Sequence, residues 1–299
     1  MGSDAKLRMG LVGAGPWAQM FHAPMIAGGP ATTLSAVWAR RPEAAATLVA
    51  AHGGAAVGSF DDLLERCDGV SFAVPPDVQA ELAPRAAAAG KHLLLEKPLA
   101  FALVDAQRIV EQVEDAQVVS LLMLTNRFDP AVRSFLESAR SATTHGSVAS
   151  VISDAALPGG VFATPWRVER GALLDLGPHV LDLLDAAMGP VERITATGDP
   201  TKWVAVTTEH LGGAIGQAAL SNTTPGAGGS LNFELFTDNG SVRFDCSEPV
   251  DLTLVRAAIV SEFAAAVADG VQHALGARRG LYLQELIGAA ERSLRARTV

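Results

Sequence analysis

Residues 13–18 read GAGPWA and fit the pattern GxGxxA, which in proteins binds the phosphates of a dinucleotide. Gly13 would allow a tight turn, Gly15 would let a pyrophosphate approach the backbone, and Ala18 would let the next helix pack closely on the preceding strand. The N-terminus of that helix would present free amides to the phosphates. A tight turn without a ligand is the alternative. The predicted phosphate-binding residues are Gly13, Gly15, Pro16, Trp17 and Ala18.

The end of the second predicted strand should decide which dinucleotide binds. NAD sites usually carry an Asp or Glu there, which accepts hydrogen bonds from the ribose hydroxyls. This chain has Arg40 and Arg41 instead, and a guanidinium can hold the 2′-phosphate of NADP through a bidentate contact. The sequence therefore favours NADP(H) and leaves NAD(H) as the second choice. Two surface arginines at the start of a helix are the alternative.

A lysine stands near the end of GKHLLLEKPLA, residues 90–100. The apolar centre of this stretch predicts a buried strand, and Glu96 and Lys97 follow at its carboxyl end, where open parallel sheets bind ligands. Pro98 restricts Lys97 to an extended backbone. Lys97 would then face the cofactor crevice, and Glu96 could pair with a nearby cation. A lysine that faces solvent is the alternative.

Asp175 and His179 stand four residues apart in GALLDLGPHVLDLL, residues 171–184. In one helix, their side chains would project from the same face. A carboxylate beside an imidazole fixes its tautomer and stabilises its charged form, so His179 is a candidate general acid and base. Pro178 must then lie at a helix start or at a kink. On these residues alone, a helix-capping Asp and a buried His are the alternative.

The elements that must position these residues alternate along the first part of the chain. Apolar runs typical of strands cover Leu7–Val12, 33–39, 70–74, His92–Leu95 and 118–124. Patterns typical of helices cover 17–23, 43–52, 78–89 and 105–114. Such alternation predicts right-handed crossovers and a parallel sheet, that is, a Rossmann-type domain over residues 1–124.

The pattern changes in residues 125–299, which we predict to form a second domain. A helix at 131–139 and a polar linker at 141–147 precede strand-like runs at 148–153, 193–198, 203–209, 214–221, 231–237 and 241–245. One helix around residues 171–188 interrupts the strands, and two helices close the chain. Strands in series favour a largely antiparallel sheet, so the predicted fold class is α/β throughout.

Composition narrows the classes of protein that fit. The chain has 299 residues, of which 49% are hydrophobic and 18% charged, enough for full cores. Its net charge of −9 disfavours a nucleic-acid partner. Cys67 and Cys246 show no metal-binding spacing, so we expect no metal site and no disulfide, and a reducing cytoplasm as the location. Residues 1–6 do not resemble a signal peptide, and no apolar stretch is long enough to make a membrane a partner.

Together these stretches resemble the glucose–fructose oxidoreductase / inositol 2-dehydrogenase family (Gfo/Idh/MocA) over nearly the whole chain. The resemblance is carried, in order, by GAGPWA, Val74-Pro75-Pro76, GKHLLLEKPLA, Asn126-Arg127-Phe128 and GALLDLGPHVLDLL. It implies a Rossmann domain followed by an α/β domain for substrate binding, whose open sheet builds dimers or tetramers. It also implies NAD(P)-dependent hydride transfer to or from a hydroxyl or carbonyl group of a small substrate, such as a sugar or polyol.

The resemblance further implies roles for individual residues. Lys97 resembles the lysine beside the nicotinamide that touches the reacting oxygen, and His179 resembles the acid and base, with Asp175 as its partner. The peptide bond between Lys97 and Pro98 is expected to be cis. The remaining residues to which the resemblance gives a role are Pro75, Pro76 and Glu96 at the cofactor and Arg127, Trp166 and Arg167 at the substrate.

One departure and two other functions accompany this resemblance. Members often carry a His after the Pro-Pro pair, whereas residues 77–79 read Asp-Val-Gln here, so a contact from that loop is in doubt. Some relatives use bound NAD transiently to cleave glycosidic bonds, and a cofactor-sensing protein without catalysis is a further alternative. The apolar loop at residues 157–166 suggests a substrate less polar than a free sugar.

Overall fold

The computed structural model describes residues 6–245 and 250–296, so Cys246 lies outside the described residues. The chain forms two compact units. Met1–Thr125 and Leu252–Leu281 form the first, and Asn126–Asp251 and Tyr282–Val299 form the second. The first boundary between the two units, after Thr125, lies next to the domain boundary predicted at residue 124. The return of residues 252–281 to the first unit differs from the predicted arrangement, in which the second domain ran to the C-terminus.

The first unit contains a six-stranded sheet in which every pair of neighbours is parallel. Its strands are β1 (Leu7–Val12), β2 (Thr32–Trp38), β3 (Ala55–Ala56), β4 (Gly69–Phe72), β5 (His92–Leu95) and β6 (Ser120–Leu122). The order is β3-β2-β1-β4-β5-β6, with the direction of winding reversed between β1 and β4. The central strands are buried along consecutive residues, 9–12 in β1 and 69–72 in β4, because helices cover a parallel sheet on both faces.

Helices connect these strands, as the alternation predicted. They are α1 (Ala23–Gly28), α2 (Pro42–His52), α3 (Phe60–Glu65), α4 (Pro76–Ala88) and α5 (Leu103–Asp115). The sequence interpretation missed β3 and α3, which are too short for a clear periodic pattern. A capping signal for α3 was nevertheless present, because the Ser59 hydroxyl accepts a hydrogen bond from the Asp62 amide.

The second unit begins with α6 (Pro130–Arg140) and contains a mixed sheet of six strands. Along the chain follow β7 (Thr144–Ile152), α7 (Pro165–Asp175), α8 (Gly177–Met188), β8 (Val191–Asp199), β9 (Trp203–His210), β10 (Ile215–Ser221), β11 (Ser230–Thr237) and β12 (Gly240–Asp245). The sheet order is β12-β11-β7-β10-β9-β8, and only β7 and β10 pair in parallel. The predicted α/β class with a largely antiparallel second sheet is confirmed.

Two local predictions in this unit were wrong. Residues 144–147 belong to β7 and not to a linker, because they pair with neighbouring strands: Gly146 lies opposite Ile215 of β10 and Phe236 of β11, and Thr144 lies opposite Thr237. The single helix predicted around residues 171–188 is two helices, α7 and α8, which meet at Leu176. A separate kink lies inside α7 at Gly171, where φ is 72° and a Cβ would lie 2.0 Å from the Pro200 carbonyl oxygen, so this position requires a residue without a side chain.

The two faces of the mixed sheet differ in character. Helix α6 packs on one face, where Phe135 contacts Phe233 and Phe244. On the other face the strand registers align outward side chains in rows, and several of them are apolar and exposed: Val148, Trp203, Ile215 and Phe236.

Two helices end the chain, as predicted, namely α9 (Leu252–Asp269) and α10 (Ala277–Ala296). Helix α9 packs on α1 and β2 of the first unit. The segment that follows also belongs there, because the Gln272 side chain hydrogen-bonds the backbone of Val118 and Ser120. The sequence of α9 is largely apolar and its few charged residues form no distinct polar face, so it gave no indication of the partner on which this helix packs.

Candidate functional site

The turn after β1 has the geometry that its glycines predicted. Gly13 has φ of 106°, and a Cβ there would lie 2.3 Å from the Ala73 carbonyl oxygen, so only glycine lets β1 and β4 end this close together. A Cβ on Gly15 would meet nothing within 4 Å and would project into open space. Ala18 is completely buried, which allows the helix to pack on the sheet.

The helix after this turn is not uniformly α-helical. Ala18–His22 form a π-helical turn in which the Ala23 amide donates to the Ala18 carbonyl, five residues back, before α1 continues. Such a turn brings residues five apart to the same side. Trp17 and His22 accordingly both reach the Glu96 carboxylate, and neither lines the cleft beside the turn.

A cleft of about 460 Å³ opens at the carboxyl ends of β1, β2 and β4. This is where the strand order reverses, and open α/β sheets bind their ligands at that point. Five predicted cofactor residues line it: Gly13, Gly15, Arg40, Arg41 and Pro75. The sequence interpretation did not name the other lining residues, Ala14, Trp38, Ala39, Ala44, Ala73, Val74 and Val78.

The cleft has the features of a dinucleotide site. The open space above Gly15 leaves room for a pyrophosphate against the backbone, as the turn motif requires. Arg40 and Arg41 are exposed at the end of β2, and the described lining contains no carboxylate. Pro16, Pro76, Glu96 and Lys97 are not among the lining residues, so any contact they make with a cofactor stays a prediction.

Lys97 follows β5 in a loop whose backbone is firmly held. The Glu96 carboxylate accepts hydrogen bonds from Trp17 Nε1 at 2.7 Å, His22 Nε2 at 2.8 Å and the Lys97 amide at 3.2 Å. Glu96 was predicted to pair with a cation, and its described partners include the buried imidazole of His22. The peptide bond between Lys97 and Pro98 is cis, as the resemblance implied.

Gln79 holds the other side of the same loop. Its carboxamide accepts from the Glu96 amide at 2.8 Å and donates to the carbonyl oxygens of Glu96 at 2.8 Å and Leu99 at 3.0 Å. Gln79 is completely buried in the first turn of α4. Residues 77–79, where this chain departs from the family, therefore supply a side chain that holds the loop of Lys97. This contact is with the protein's own backbone, and it does not test a contact with a cofactor or substrate.

Asp175 is buried in the second unit, and two donors from elsewhere in that unit bind it. Arg167 Nε donates to Oδ1 at 3.1 Å, and Asn222 Nδ2 donates to Oδ2 at 3.4 Å. The prediction had placed Arg167 at the substrate and had not named Asn222. Asn222 follows β10, 47 residues along the chain, and no local pattern signals the contact.

His179 lies in the first turn of α8, whereas Asp175 ends α7, and the two helices meet at Leu176. The premise of one continuous helix was therefore wrong, although Pro178 does stand at the start of a helix, as required. His179 is half-buried. Its pairing with Asp175 stays a prediction.

The remaining predicted substrate residues make contacts of their own. The Arg167 guanidinium stacks over the Trp166 ring at 4.4 Å and the Phe162 ring at 5.6 Å. Arg127 Nη1 donates to both carboxylate oxygens of Asp182, at 3.0 and 3.1 Å, and Asp182 is 1% exposed. Since a buried carboxylate needs such a partner, Arg127 has a structural task whether or not it also meets a substrate.

A second cleft of about 590 Å³ lies in the first unit, beside Ser120 at the start of β6. Two of the side chains that line it form ion pairs with protein groups, Arg278 with Glu114 at 2.5 Å and His273 with Glu262 at 3.3 Å. This cleft does not lie where the strand order reverses, so the cleft at the glycine turn is the better cofactor site. In the described parts of the chain, no cluster of His, Cys, Asp and Glu could hold a metal, and no helix could cross a membrane.

The two glycines of the turn should respond differently to the same substitution. Gly13→Ala should destabilise the fold by about 1–3 kcal/mol, because a side chain at positive φ would collide with the Ala73 carbonyl. Gly15→Ala should leave the thermal midpoint nearly unchanged but weaken NADPH binding at least about tenfold, because its methyl group would occupy the open space where a pyrophosphate approaches. Thermal unfolding and a titration of NADPH fluorescence measure the two effects.

Gly28→Ala is the matched control, since a Cβ there also meets nothing within 4 Å and the residue does not line the cleft. Its NADPH affinity should equal that of the unsubstituted protein. Undiminished affinity in Gly15→Ala would show that no pyrophosphate lies against this turn.

Similar proteins agree with this architecture. A dTDP-3,4-didehydro-2,6-dideoxy-alpha-D-glucose 3-reductase of Streptomyces violaceoruber is 30% identical over 203 residues, 63% of this chain and 56% of that protein. A D-xylose 1-dehydrogenase (NADP(+)) 2 of Haloferax volcanii is 30% identical over 207 residues, 64% of this chain and 62% of that protein. The chain thus matches less than two thirds of the length of either relative.

Solved structures extend the similarity to the whole chain. The crystal structure of GenD2 from gentamicin A biosynthesis, in complex with NAD, superposes with a TM-score of 0.86 at 23% identity. The match covers 98% of this chain and 96% of that one, and it shows that the two share a fold.

Two family models match successive parts of the sequence. The oxidoreductase family model with an NAD-binding Rossmann fold matches residues 7–124, which contain the whole parallel sheet. The model of the GFO/IDH/MocA C-terminal domain matches residues 136–243, which contain most of the second sheet. Together they cover well over half of the chain in the order that the structure shows, and the chain belongs to the Gfo/Idh/MocA family.

Proposed function

We propose that the protein is an NADP(H)-dependent oxidoreductase that interconverts a hydroxyl and a carbonyl group on a small sugar- or polyol-like substrate. The observation that carries this proposal is the cleft at the reversal of strand order, which combines a glycine turn with two exposed arginines. Membership of an oxidoreductase family with an NAD-binding Rossmann fold supports the hydride chemistry.

The preference for NADP(H) rests on the charge at the end of β2. A carboxylate at this position would accept hydrogen bonds from an unmodified ribose and repel a 2′-phosphate. Arg40 and Arg41 line the cleft here instead, and a planar guanidinium binds phosphate oxygens in pairs. The NADP named for the xylose dehydrogenase supports this choice, whereas the NAD bound to GenD2 makes NAD(H) the competing cofactor.

Removing one arginine should separate the two cofactors. Arg40→Ala should weaken NADPH binding about 10- to 100-fold, as expected for a lost hydrogen bond between charged groups, and change NADH binding less than about threefold. Fluorescence titrations with both nucleotides measure the effect. Arg66→Ala, an exposed arginine away from the cleft, is the control. Equal losses for both nucleotides, or tighter NADH binding before substitution, would overturn the NADP preference.

The chemical roles that we propose follow the family resemblance. A bound nicotinamide would supply or take up the hydride, so the protein's own residues must move the proton and stabilise the charge on the reacting oxygen. We assign the proton to His179, because a half-buried imidazole can change its charge near neutral pH. We assign stabilisation of the oxygen to the Lys97 ammonium. Arg167 and Asn222 would keep the Asp175 carboxylate ionised and in place for His179.

His179→Ala should lower turnover about 10²- to 10⁴-fold, the usual contribution of a general acid or base. NADPH affinity should change little, because none of the described cleft residues belongs to the second unit. Steady-state kinetics measure the turnover, and a fluorescence titration measures the NADPH affinity. His145→Ala, at an exposed imidazole, is the control. A collapse of folding or of cofactor affinity in His179→Ala would show that the residue is structural.

The two curated relatives suggest which substrates to screen first. Their names describe reactions at a carbonyl or hydroxyl group of a sugar, one of them a dideoxy sugar linked to a nucleotide. Val161, in the loop before α7, is 60% exposed, and Phe162 stacks on Arg167. If this loop meets the substrate, its apolar character favours deoxygenated sugars over free hexoses. We propose to screen both groups, with NADPH consumption as the readout.

We also propose that the protein forms a homodimer or homotetramer through the exposed face of the second sheet. Small residues such as Ala205 and Ala219 lie beside each other there, near exposed Val148 and Ile215. An exposed face of this kind can pack against the same face of a second copy of the chain, and self-association commonly buries such faces.

A charge in the centre of that face should prevent association. In sedimentation velocity at micromolar concentration, the protein should sediment as a dimer or larger, and Ala219→Arg should shift it to the monomer without loss of secondary structure. Ala46→Arg, on the exposed side of α2, should leave the assembly intact. A monomer before any substitution would refute the proposal.

A further inference from the structure

Glu96 is the meeting point of three donors that come from different parts of the first unit. Trp17 follows the glycine turn, His22 ends the π-helical turn, and the third donor is the amide of Lys97 itself. The carboxylate side chain is only 13% exposed. Hydrogen bonds to an ionised acceptor are about twice as strong as neutral ones, so this group fixes the atoms around it.

The hydrogen bonds of His22 define its tautomer. A carboxylate can only accept, so Nε2 must carry the hydrogen that binds Glu96. In the neutral imidazole, Nδ1 then accepts the hydroxyl hydrogen of Ser71 at 2.8 Å. Serine, histidine and glutamate therefore form the sequence of contacts known from nucleophilic enzymes, but Ser71 is completely buried in β4 and cannot meet a substrate. The arrangement can only orient the Glu96 carboxylate.

Gln79 completes the enclosure from the backbone side. Its one carboxamide makes three hydrogen bonds to the backbone of Glu96 and Leu99, which flank Lys97 and Pro98. A carboxamide offers two donor hydrogens and an acceptor oxygen, so the Gln79 side chain binds the backbone amide and the backbone carbonyl of Glu96 at the same time. The side chain and the backbone of Glu96 are thus both fixed immediately before Lys97.

We propose that Trp17, His22 and Gln79 are positioning residues for Lys97. They hold Glu96, and Glu96 accepts a hydrogen bond from the Lys97 amide. The glycine turn after β1 and the lysine after β5 are therefore fixed relative to each other. The inference rests on the proposed catalytic role of Lys97. None of the three lines the cofactor cleft, so their loss should affect turnover more than cofactor binding.

Glu96→Gln is the sharpest test, because it preserves shape and removes one acceptor. If the new carboxamide turns its oxygen to Trp17 and His22, its nitrogen opposes the Lys97 amide. If it turns the other way, its nitrogen opposes two donors. Either orientation leaves a donor facing a donor, so kcat should fall about 10- to 100-fold. The NADPH dissociation constant should change less than about threefold.

A pair of variants at His22 tests rescue. His22→Leu removes the donor and the acceptor, whereas His22→Gln retains one of each. Turnover should fall in the first and largely recover in the second. Trp17→Phe removes the indole N–H and keeps an aromatic ring at the position where Trp17 stacks on Phe21 at 4.6 Å, so it tests the proposal if His22→Leu fails to fold. His145→Leu, at an exposed pair of histidine and Asp238, is the control.

A readout without substrate separates this inference from the proposed function. Acetic anhydride acylates unprotonated amines, and mass spectrometry can follow Lys97 against Lys202, which is exposed. Glu96→Gln and Trp17→Phe should change the relative rate at Lys97 at least about threefold, because its surroundings change. If Lys97→Met is itself active, a changed acylation rate with unchanged turnover would support positioning and refute the catalytic role of Lys97. An unchanged rate in well-folded variants would overturn the inference, as would unchanged turnover where Lys97→Met is inactive.

Discussion

The close approach of β1 and β4 at Gly13 is the constraint on which the first unit depends. The two strands are hydrogen-bonded neighbours, and the Ala73 carbonyl lies where a side chain of residue 13 would begin. A residue with a Cβ would push the strand ends apart at the point where the order of the sheet reverses. The cleft, the direction of the next helix and the position of Trp17 all follow from this contact.

From that turn, hydrogen bonds reach the lysine without passing through the cleft. The π-helical turn brings Trp17 and His22 to one side, and both meet Glu96 at the end of β5. A π-helical turn is rare and is frequently found at functional sites. Here its consequence is specific: a carboxylate 79 residues from Trp17 along the chain obtains two donors from a single turn.

The sequence predicted what local patterns determine. The strand, glycine turn and helix at the N-terminus, the parallel sheet, the mostly antiparallel second sheet and the family are all confirmed. The partners of buried polar groups could not be predicted from the sequence, because tertiary packing determines which groups meet. Nothing near Asp175 indicates that Asn222 will bind it, and nothing in the largely apolar sequence of α9 indicates that it returns to the first unit. The kink at Gly171 inside α7 was missed because the contact that requires a glycine there comes from the Pro200 carbonyl, which is distant in the sequence.

Three largely buried carboxylates are held in orientations that hydrophobic packing alone cannot specify. Glu96, Asp175 and Asp182 are each bound by N–H groups of residues distant in sequence, and an unpaired charge in their place would cost several kcal/mol. Packing can place a strand or a helix, but it orients a polar side chain weakly. By contrast, a carboxylate and its donors can hydrogen-bond in only a few geometries, because moving one donor leaves both that donor and a carboxylate oxygen without a partner. Lys97 directly follows Glu96, and His179 lies between Asp175 and Asp182 in the sequence, so both stand near carboxylates whose orientations are restricted in this way.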